Sequence, residues 1–285
     1  MIRTDDGYRM PLSPAVDTEQ AKAFTHDVLA RLYRLERESA GDRRVCRAVD
    51  DGRAAWVDDG PAAVTHLEGA AAVEPDLSNL DFLYAAWVRS IGLTWARPNA
   101  FATGAPFAYP QTPDVESGLT DAGVELVRAC DERGIVVDCP HLNAAGFRDV
   151  AETSDAPLVV SHTAVHDSCP STRNLTDEQL DVVGRSGGVV GISLAVENLR
   201  ADGDQVVDTP VSVVADHVEC VADRIGTEHV ALGSDFDGCT VPEPVGDVTG
   251  VPTILDTLRE SGFENADIEQ LSRGNWFRLL DETWR

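Results

Sequence analysis

From residue 62 onward, short apolar runs alternate with longer amphipathic stretches, and this alternation is the main structural signal in the chain. The short runs, rich in valine and isoleucine, are typical of strands buried on both faces, and the amphipathic stretches are typical of surface helices. Six strands are predicted near residues 62, 91, 135, 157, 188 and 229, each followed by a helix. Repeated βα units predict a parallel sheet wrapped by helices.

Polar and aromatic side chains mark the predicted carboxyl ends of five of these strands; they are Glu68, Trp95, His141, His162 and Asp235. A doubly wound sheet concentrates its site at one switch point, whereas a barrel brings the ends of many strands to one mouth. The spread of these residues therefore favours, within the α/β class, a (β/α)8 TIM-type barrel. Such a barrel has eight βα units, and only six are recognisable in the sequence, so we expect the barrel to be incomplete.

The first 61 residues have a different pattern. Residues 1–20 are polar and predicted to be irregular, residues 18–39 have apolar positions at helical spacing, and residues 44–50 predict a short helix. No convincing candidate for the two missing strands is found there. We therefore divide the chain into an N-terminal helical segment, residues 1–61, and the remainder of the same barrel domain, residues 62–285.

Two histidines, a glutamate and an aspartate at one rim form a set of nitrogen and oxygen donors. His141 and His162 end consecutive strands of one βαβ unit, so both side chains are expected on the same side of the sheet. Zinc suits these donors, with manganese or cobalt as substitutes. The alternative is that the histidines lie in unrelated loops and that Glu68 and Asp235 are solvated carboxylates; the matching positions of the histidines favour a site.

Acidic residues far outnumber basic ones: 49 Asp and Glu stand against 23 Lys and Arg, which gives a net charge of −26. We interpret this charge as adaptation to a high-salt cytoplasm, because salt screens the repulsion between like charges. The same charge disfavours nucleic acid and anionic membranes as partners. The sequence offers no apolar run of membrane-spanning length and no signal-peptide pattern, and its six cysteines indicate free thiols.

Several short motifs follow one another within residues 60–282, and together they resemble the membrane (renal) dipeptidases, a branch of the metal-dependent amidohydrolase-like barrels. The motifs are Leu67-Glu68-Gly69, Leu93-Thr94-Trp95, Asp138-Cys139-Pro140-His141, Ser161-His162-Thr163, Arg173-Asn174-Leu175, Gly187-Gly188-Val189-Val190-Gly191 and Gly233-Ser234-Asp235-Phe236-Asp237-Gly238. The resemblance implies a zinc-dependent dipeptidase that hydrolyses the peptide bond of a small dipeptide by metal-activated hydroxide.

The resemblance also implies a role for each site residue. Glu68 would bridge two zinc ions, and His141 and His162 would bind the second of them. Asp235 would bind the first ion and help to move the proton, so that Glu68 and Asp235 are the catalytic carboxylates. Arg173 would hold the terminal carboxylate of the substrate, a role that suits a planar guanidinium.

The chain departs from the family pattern in three places. Trp95 stands where renal-type members have a histidine, and because an indole carries no proton, it is interpreted as an aromatic wall of the substrate pocket. The family's opening His-x-Asp motif has no match, since Tyr8 and Met10 hold its positions. Two strands are also absent. A chain without its N-terminal portion explains both gaps, and we expect one of the family's two zinc sites to be incomplete.

Three functions stay open on the sequence. A metallo-dipeptidase is favoured, a related metal-dependent hydrolase of another amide or ester is the first alternative, and an inactive truncated homologue is the second. No sequence feature separates dipeptides from other amides, and assembly as a homodimer is left open.

The acidic composition predicts that stability depends on salt. Raising potassium chloride from about 0.2 M to about 2 M should raise the midpoint of thermal unfolding by several degrees, because the shorter Debye length weakens the repulsion between carboxylates. The measurement is a thermal melt followed by circular dichroism at each salt concentration. A midpoint that stays constant or falls would contradict the interpretation as a high-salt protein.

Overall fold

The computed structural model of the chain describes residues 2–4, 7–11, 14–115 and 117–284. Its strands are β1 (Ile2–Thr4), β2 (Gly7–Met10), β3 (Arg44–Val45), β4 (Ala62–Ala63), β5 (Thr65–Glu68), β6 (Val88–Gly92), β7 (Phe107–Tyr109), β8 (Val136–Asp138), β9 (Val159–Thr163), β10 (Val189–Ile192) and β11 (Val230–Leu232). Its α-helices are α1 (Thr18–Glu38), α2 (Val49–Val57), α3 (Leu80–Ala85), α4 (Asp121–Arg133), α5 (Ala144–Thr153), α6 (Asp177–Arg185), α7 (Val196–Leu199), α8 (Ser212–Ile225), α9 (Val251–Glu260), α10 (Asn265–Glu269) and α11 (Asn275–Thr283).

Six parallel strands form the main sheet, in the order β11-β10-β9-β8-β6-β5. This order confirms the predicted α/β fold with a parallel sheet at its core. Among the described residues, β5 and β11 are the two ends of the sheet and each has one neighbour in it. The idea that two strands are missing from an eight-stranded barrel stays a prediction, as does the division of the chain at residue 61.

Both faces of the main sheet are covered. One face packs against the surrounding helices in a large apolar core. The other face packs on Leu279 of α11 through four small apolar side chains: Val136, Val159, Val189 and Ala231. Burial on both sides explains why these strands appear in the sequence as continuous apolar runs. In the described part of the chain, no helix is both long enough and apolar enough to cross a bilayer.

The prediction that residues 1–20 are irregular is wrong. β1 and β2 form an antiparallel hairpin, and β2 pairs with β7, which lies in the proline-rich loop after Trp95. Tyr8 of β2 is fully buried and stacks on Tyr109, with 5.9 Å between the ring centroids. The partner strand is about one hundred residues away in the chain, so local pattern offers no sign of the pairing.

The segment predicted as a short helix at residues 44–50 is instead a short strand followed by a helix. β3 pairs in parallel with β4 in a separate two-stranded sheet. The carboxylate of Asp51 accepts the backbone N–H groups of Arg47 and Ala48, which caps the start of α2. The strand predicted over residues 62–67 is accordingly divided into β4 and β5.

β6 begins three residues earlier than the strand predicted from Ile91. The predicted strand begins too late because Arg89 is charged, although its side chain is buried in the strand. Its guanidinium lies 3.8 Å from the Tyr84 ring centroid and donates to the Tyr84 carbonyl, which compensates for its burial. A register shift at this point leaves Arg89 without a partner residue across β5. As a result, Trp95 lies in the loop after β6 and not at the last position of the strand.

Truncating the side chain of Leu279, which lies between α11 and the sheet, should destabilise the fold. Leu279→Ala is expected to lower the free energy of unfolding by about 2–5 kcal/mol, because Leu279 is fully buried against the small apolar face of the sheet. Urea unfolding at constant salt provides the measurement. The control is Leu35→Ala on α1, where the side chain is 50% exposed and the expected loss is below about 1 kcal/mol. Equal losses at the two positions would contradict the packing described here.

Candidate metal centre

Three of the four predicted ligands meet at the carboxyl ends of β5, β8 and β9. His141 Nε2 lies 2.8 Å from Glu68 Oε1 and 3.1 Å from His162 Nε2, and His162 Nε2 lies 3.5 Å from Glu68 Oε1. Within the described residues, this is the group of potential ligands whose donor atoms all lie within 4.8 Å of one another. Two imidazole nitrogens and a carboxylate oxygen are a donor set that zinc and similar divalent ions accept.

A β-bulge directs His162 towards this cluster. Ser161 and His162 of β9 lie opposite the single residue Gly191 of β10, so two residues face one. The displaced Ser161 carbonyl comes so close to β10 and β11 that a Cβ atom at Gly191 or Gly233 would lie 2.0 Å from its oxygen. Both glycines are therefore required by the close approach of the backbone.

Asp138, at the end of β8, fixes the orientation of His162 through Ser161. The Asp138 carboxylate is buried and accepts both the backbone N–H and the hydroxyl of Ser161. Because the hydroxyl proton goes to Asp138, Ser161 Oγ accepts from His162 Nδ1 at 2.9 Å. The tautomer with a free lone pair on Nε2 is thus selected, and that lone pair faces Glu68 and His141. Such supporting hydrogen bonds orient ligating histidines in metal sites.

The electrostatics keep both histidines neutral. Burial lowers the pKa of His141 well below its usual value, and the Arg173 charge lowers it further. Burial likewise lowers the pKa of His162 to about 2, again with a contribution from Arg173. Neutral imidazoles are the form in which histidine binds metal. The donor set of this structure therefore fits a divalent metal ion.

Asp235, the fourth predicted ligand, lies outside the cluster of three. It follows β11 in a backbone conformation with φ of 56°, and a Cβ atom at Gly238 would lie 2.3 Å from its Oδ1. Burial raises the pKa of Asp235 to about 6, the Glu68 carboxylate raises it further, and Arg173 opposes both effects. Asp235 is therefore close enough to Glu68 and Arg173 to share their electrostatic environment.

Arg173 is a buried charged group with two nitrogen atoms that lack hydrogen-bond partners in the described part of the chain. The residue is 6% exposed, and its Nε and Nη1 atoms have no hydrogen-bond partner among the described residues. Its guanidinium carbon lies 5.5 Å from the Phe107 ring centroid, and its carbonyl accepts the Thr163 hydroxyl at 2.9 Å. Burial lowers the pKa of Arg173 to about 10, so the side chain stays cationic at neutral pH. A buried unpaired cation is stabilised by a bound anion.

Aromatic rings border the histidine pair. The ring centroid of Trp95 lies 5.8 Å from that of His141 and 5.4 Å from that of Phe107, and Phe107 lies 6.3 Å from His141. The sequence did not identify Phe107, because it lies in a proline-rich loop, in the strand β7, which is three residues long. The sequence contains only a weak signal for Phe107: it is an aromatic residue between two prolines of a long loop.

Two other histidines have structural partners. His66, two residues before Glu68 on β5, lies with its Nδ1 2.9 Å from Ser90 Oγ and its Nε2 3.7 Å from Asp138. His217 is buried, accepts the Val165 N–H through Nδ1 and contacts the Leu199 carbonyl through Nε2.

The family profile described as membrane dipeptidase (peptidase family M19) matches residues 11–284. The chain belongs to this family. The family consists of metallopeptidases that act as dipeptidases, and this membership confirms the resemblance found in the sequence motifs. It also establishes the enzyme class to which the chain belongs.

Three relatives illustrate the match. A metallo peptidase from Rhodobacter sphaeroides, solved with a phosphinate mimic of the dipeptide L-Ala-D-Ala, is 40% identical, with a TM-score of 0.96 over 97% of this chain and 79% of that chain. An uncharacterized protein of Klebsiella pneumoniae in the pqqA 5' region is 40% identical over 257 residues, 90% of this chain and 95% of that protein. Dipeptidase aclJ of Aspergillus oryzae is 32% identical over 220 residues, 76% of this chain and 50% of that protein. The match thus spans about half the length of the fungal dipeptidase.

Removing the two clustered imidazoles should abolish metal binding. The wild-type chain is expected to hold about one divalent ion tightly, and His141→Ala combined with His162→Ala should reduce the metal content at least tenfold, because only one of three clustered ligands is left. Elemental analysis after dialysis against metal-free buffer gives the content. His26→Ala combined with His166→Ala is the matched control, since both residues lie outside the cluster. Unchanged metal in the first variant, or two tightly held ions in the wild type, would count against the site.

Proposed function

We propose that this chain is a dipeptidase that uses zinc and cleaves the peptide bond of a dipeptide with a free terminal carboxylate. The observation that carries the proposal is the buried, unpaired guanidinium of Arg173 beside the cluster of Glu68, His141 and His162. A metal-binding cluster beside a carboxylate-binding group suits the hydrolysis of a dipeptide with a free carboxylate. The dipeptide mimic bound by the Rhodobacter sphaeroides relative supports the same substrate class.

Glu68, His141 and His162 would hold the metal. When bound, a divalent ion supplies Lewis acidity and lowers the pKa of water. The chain contributes the position and protonation state of the ligands: Asp138 and Ser161 keep the Nε2 lone pair of His162 directed at the centre. The family resemblance implies a second ion with Asp235 among its ligands; because the family's His-x-Asp motif has no match here, we expect that second ion to be held weakly.

Asp235 would transfer the proton. Its raised pKa, about 6, lies near neutral pH, which is where a carboxyl group both accepts a proton and returns it efficiently. The group that needs the proton is the amine released when the peptide bond breaks. The charges of Glu68 and Arg173 both act on Asp235, which supports its placement beside a substrate held by Arg173.

Arg173 would fix the substrate by its carboxylate. Nε and one terminal nitrogen of arginine present two parallel N–H groups that match the two oxygens of a carboxylate. Binding here orders the substrate relative to the metal centre and satisfies a cation that is otherwise unpaired. Phe107 and Trp95 would exclude water from the same space.

A second candidate, hydrolysis of another amide or an ester by the same centre, is favoured by one observation. Trp95 lies 5.8 Å from His141, at the position for which the resemblance implies a histidine in renal-type enzymes. Because indole has a single N–H and no basic nitrogen, substrate preference can differ from that of renal-type members. A cytoplasmic location and a homodimer also stay predictions.

Exchanging Arg173 tests the substrate class. On dipeptides with a free carboxylate, Arg173→Lys should lower kcat/KM by about a hundredfold, nearly as much as Arg173→Ala, because an ammonium group lacks the planar pair of donors. On the corresponding dipeptide amides, both variants should behave like the wild type.

The measurement is initial-rate kinetics with zinc-loaded protein, after circular dichroism has shown that each variant is folded. Arg148→Lys on α5 is the matched control, since that residue is not part of the metal centre. Equal losses on free and amidated dipeptides would show that Arg173 only supports the loop and does not bind the carboxylate.

A further inference from the structure

A short segment that begins at Ala105 and ends at Ala108 links the metal centre to the loop that carries Arg173. At its start, the Ala105 backbone N–H donates to the carbonyl of His141, one of the clustered histidines, at 2.8 Å. At its end, Ala108 exchanges backbone and side-chain hydrogen bonds with Thr172, the residue directly before Arg173. The segment is therefore bound to both parts of the proposed site.

Thr172 forms three hydrogen bonds with this segment. Its backbone N–H donates to the Ala108 carbonyl at 3.1 Å, its hydroxyl oxygen accepts the Ala108 N–H at 3.1 Å, and its hydroxyl group donates to the Pro106 carbonyl. Thr172 is 1% exposed, so water does not compete for these bonds. Because Thr172 and Arg173 are adjacent in the chain, the bonds fix the backbone from which the Arg173 side chain extends.

Phe107 lies within the segment, and its ring contacts both parts of the site. The ring centroid lies 5.5 Å from the Arg173 guanidinium carbon and 6.3 Å from the His141 ring centroid, with 71° between the two ring planes. Trp95 supports the same ring at 5.4 Å. An aromatic face attracts a cation without occupying any of its N–H groups. The contact therefore holds the guanidinium and leaves its Nε and Nη1 atoms for a ligand.

We propose that Thr172 and Phe107 are positioning residues that set the distance and direction of the Arg173 guanidinium relative to the metal centre. This inference rests on the proposed function, in which Arg173 binds the substrate carboxylate. The scissile carbonyl and the terminal carboxylate of a dipeptide are separated by a fixed number of bonds, so the metal and the guanidinium must lie a matching distance apart. A displacement of about 1 Å is enough to lower a rate by about a hundredfold.

The first test replaces Thr172 in two ways. Thr172→Val keeps the shape of the side chain and removes both hydrogen bonds of the hydroxyl group, whereas Thr172→Ser keeps the hydroxyl group. On dipeptides with a free carboxylate, Thr172→Val should lower kcat/KM about tenfold and Thr172→Ser less than about twofold. On the corresponding dipeptide amides, both variants should match the wild type. Phe107→Leu should reproduce the pattern of Thr172→Val, and Phe107→Tyr, which keeps the aromatic face, should not.

A double-mutant comparison decides whether Thr172 acts through Arg173. In an Arg173→Ala background, Thr172→Val should cause no further loss on free dipeptides, because the group that it positions is absent. Thr283→Val on α11 is the matched control: Thr283 is also buried, its hydroxyl donates to the Leu279 carbonyl at 2.8 Å, and the variant should keep the wild-type ratio between free and amidated dipeptides. An equal loss from Thr172→Val with and without Arg173, or on both types of substrate, would show that Thr172 only supports the loop.

A spectroscopic measurement separates this inference from the function on which it rests, because it needs no substrate. In zinc-loaded protein with isotope-labelled arginine, the Arg173 Nε–H resonance is identified by its loss in Arg173→Lys, and the Phe107 ring current should displace it from the resonances of the other arginines. The displacement should disappear in Phe107→Leu, diminish in Thr172→Val and persist in Thr172→Ser and Thr283→Val.

The two readouts together distinguish the possible failures. If the resonance is the same in the wild type, Thr172→Val and Phe107→Leu, the positioning role is wrong, and a preference of the wild type for free over amidated dipeptides would still support the proposed function. If the resonance changes as expected but the wild type cleaves no dipeptide, or cleaves free and amidated dipeptides alike, the proposed function is wrong and the positioning of the guanidinium by Thr172 and Phe107 is retained.

Discussion

A buried polar group must find a partner, and this constraint explains more of the molecule than any other. Most of the buried polar side chains obey it within the fold: Asp138 accepts from Ser161, and Arg89 donates to the Tyr84 carbonyl and lies over its ring. Arg173, beside the metal centre, is an exception: its Nε and Nη1 atoms have no hydrogen-bond partner in the described part of the chain. A bound ligand can supply the hydrogen-bond acceptors that the fold does not provide for Arg173.

The features that depend on neighbouring βα units were accessible from the sequence. His141 and His162 could be assigned to one rim because each follows an apolar run, and because consecutive parallel strands end on the same side. The glycines at 191 and 233 belonged to recognisable motifs, yet their function is evident only from the bulge at Ser161, which depends on the exact register of three strands. Periodicity reports the existence of a strand and not its register.

The features that sequence reasoning missed depend on contacts between distant segments or on burial. Tyr8 is buried because β2 pairs with β7, about one hundred residues away in the chain. Arg89 is a charged residue inside a buried strand, and aromatic rings make its burial tolerable. Local pattern contains none of this information.

The pairing of β2 with β7 also has a kinetic consequence. Pairing residues 7–10 with residues 107–109 closes a chain loop of about one hundred residues, which carries an entropic cost. The metal-binding cluster carries a similar cost, because Glu68 and His141 are 73 residues apart in the chain. Neither part forms from local contacts alone, so the assembly of both depends on contacts of the kind that slow folding.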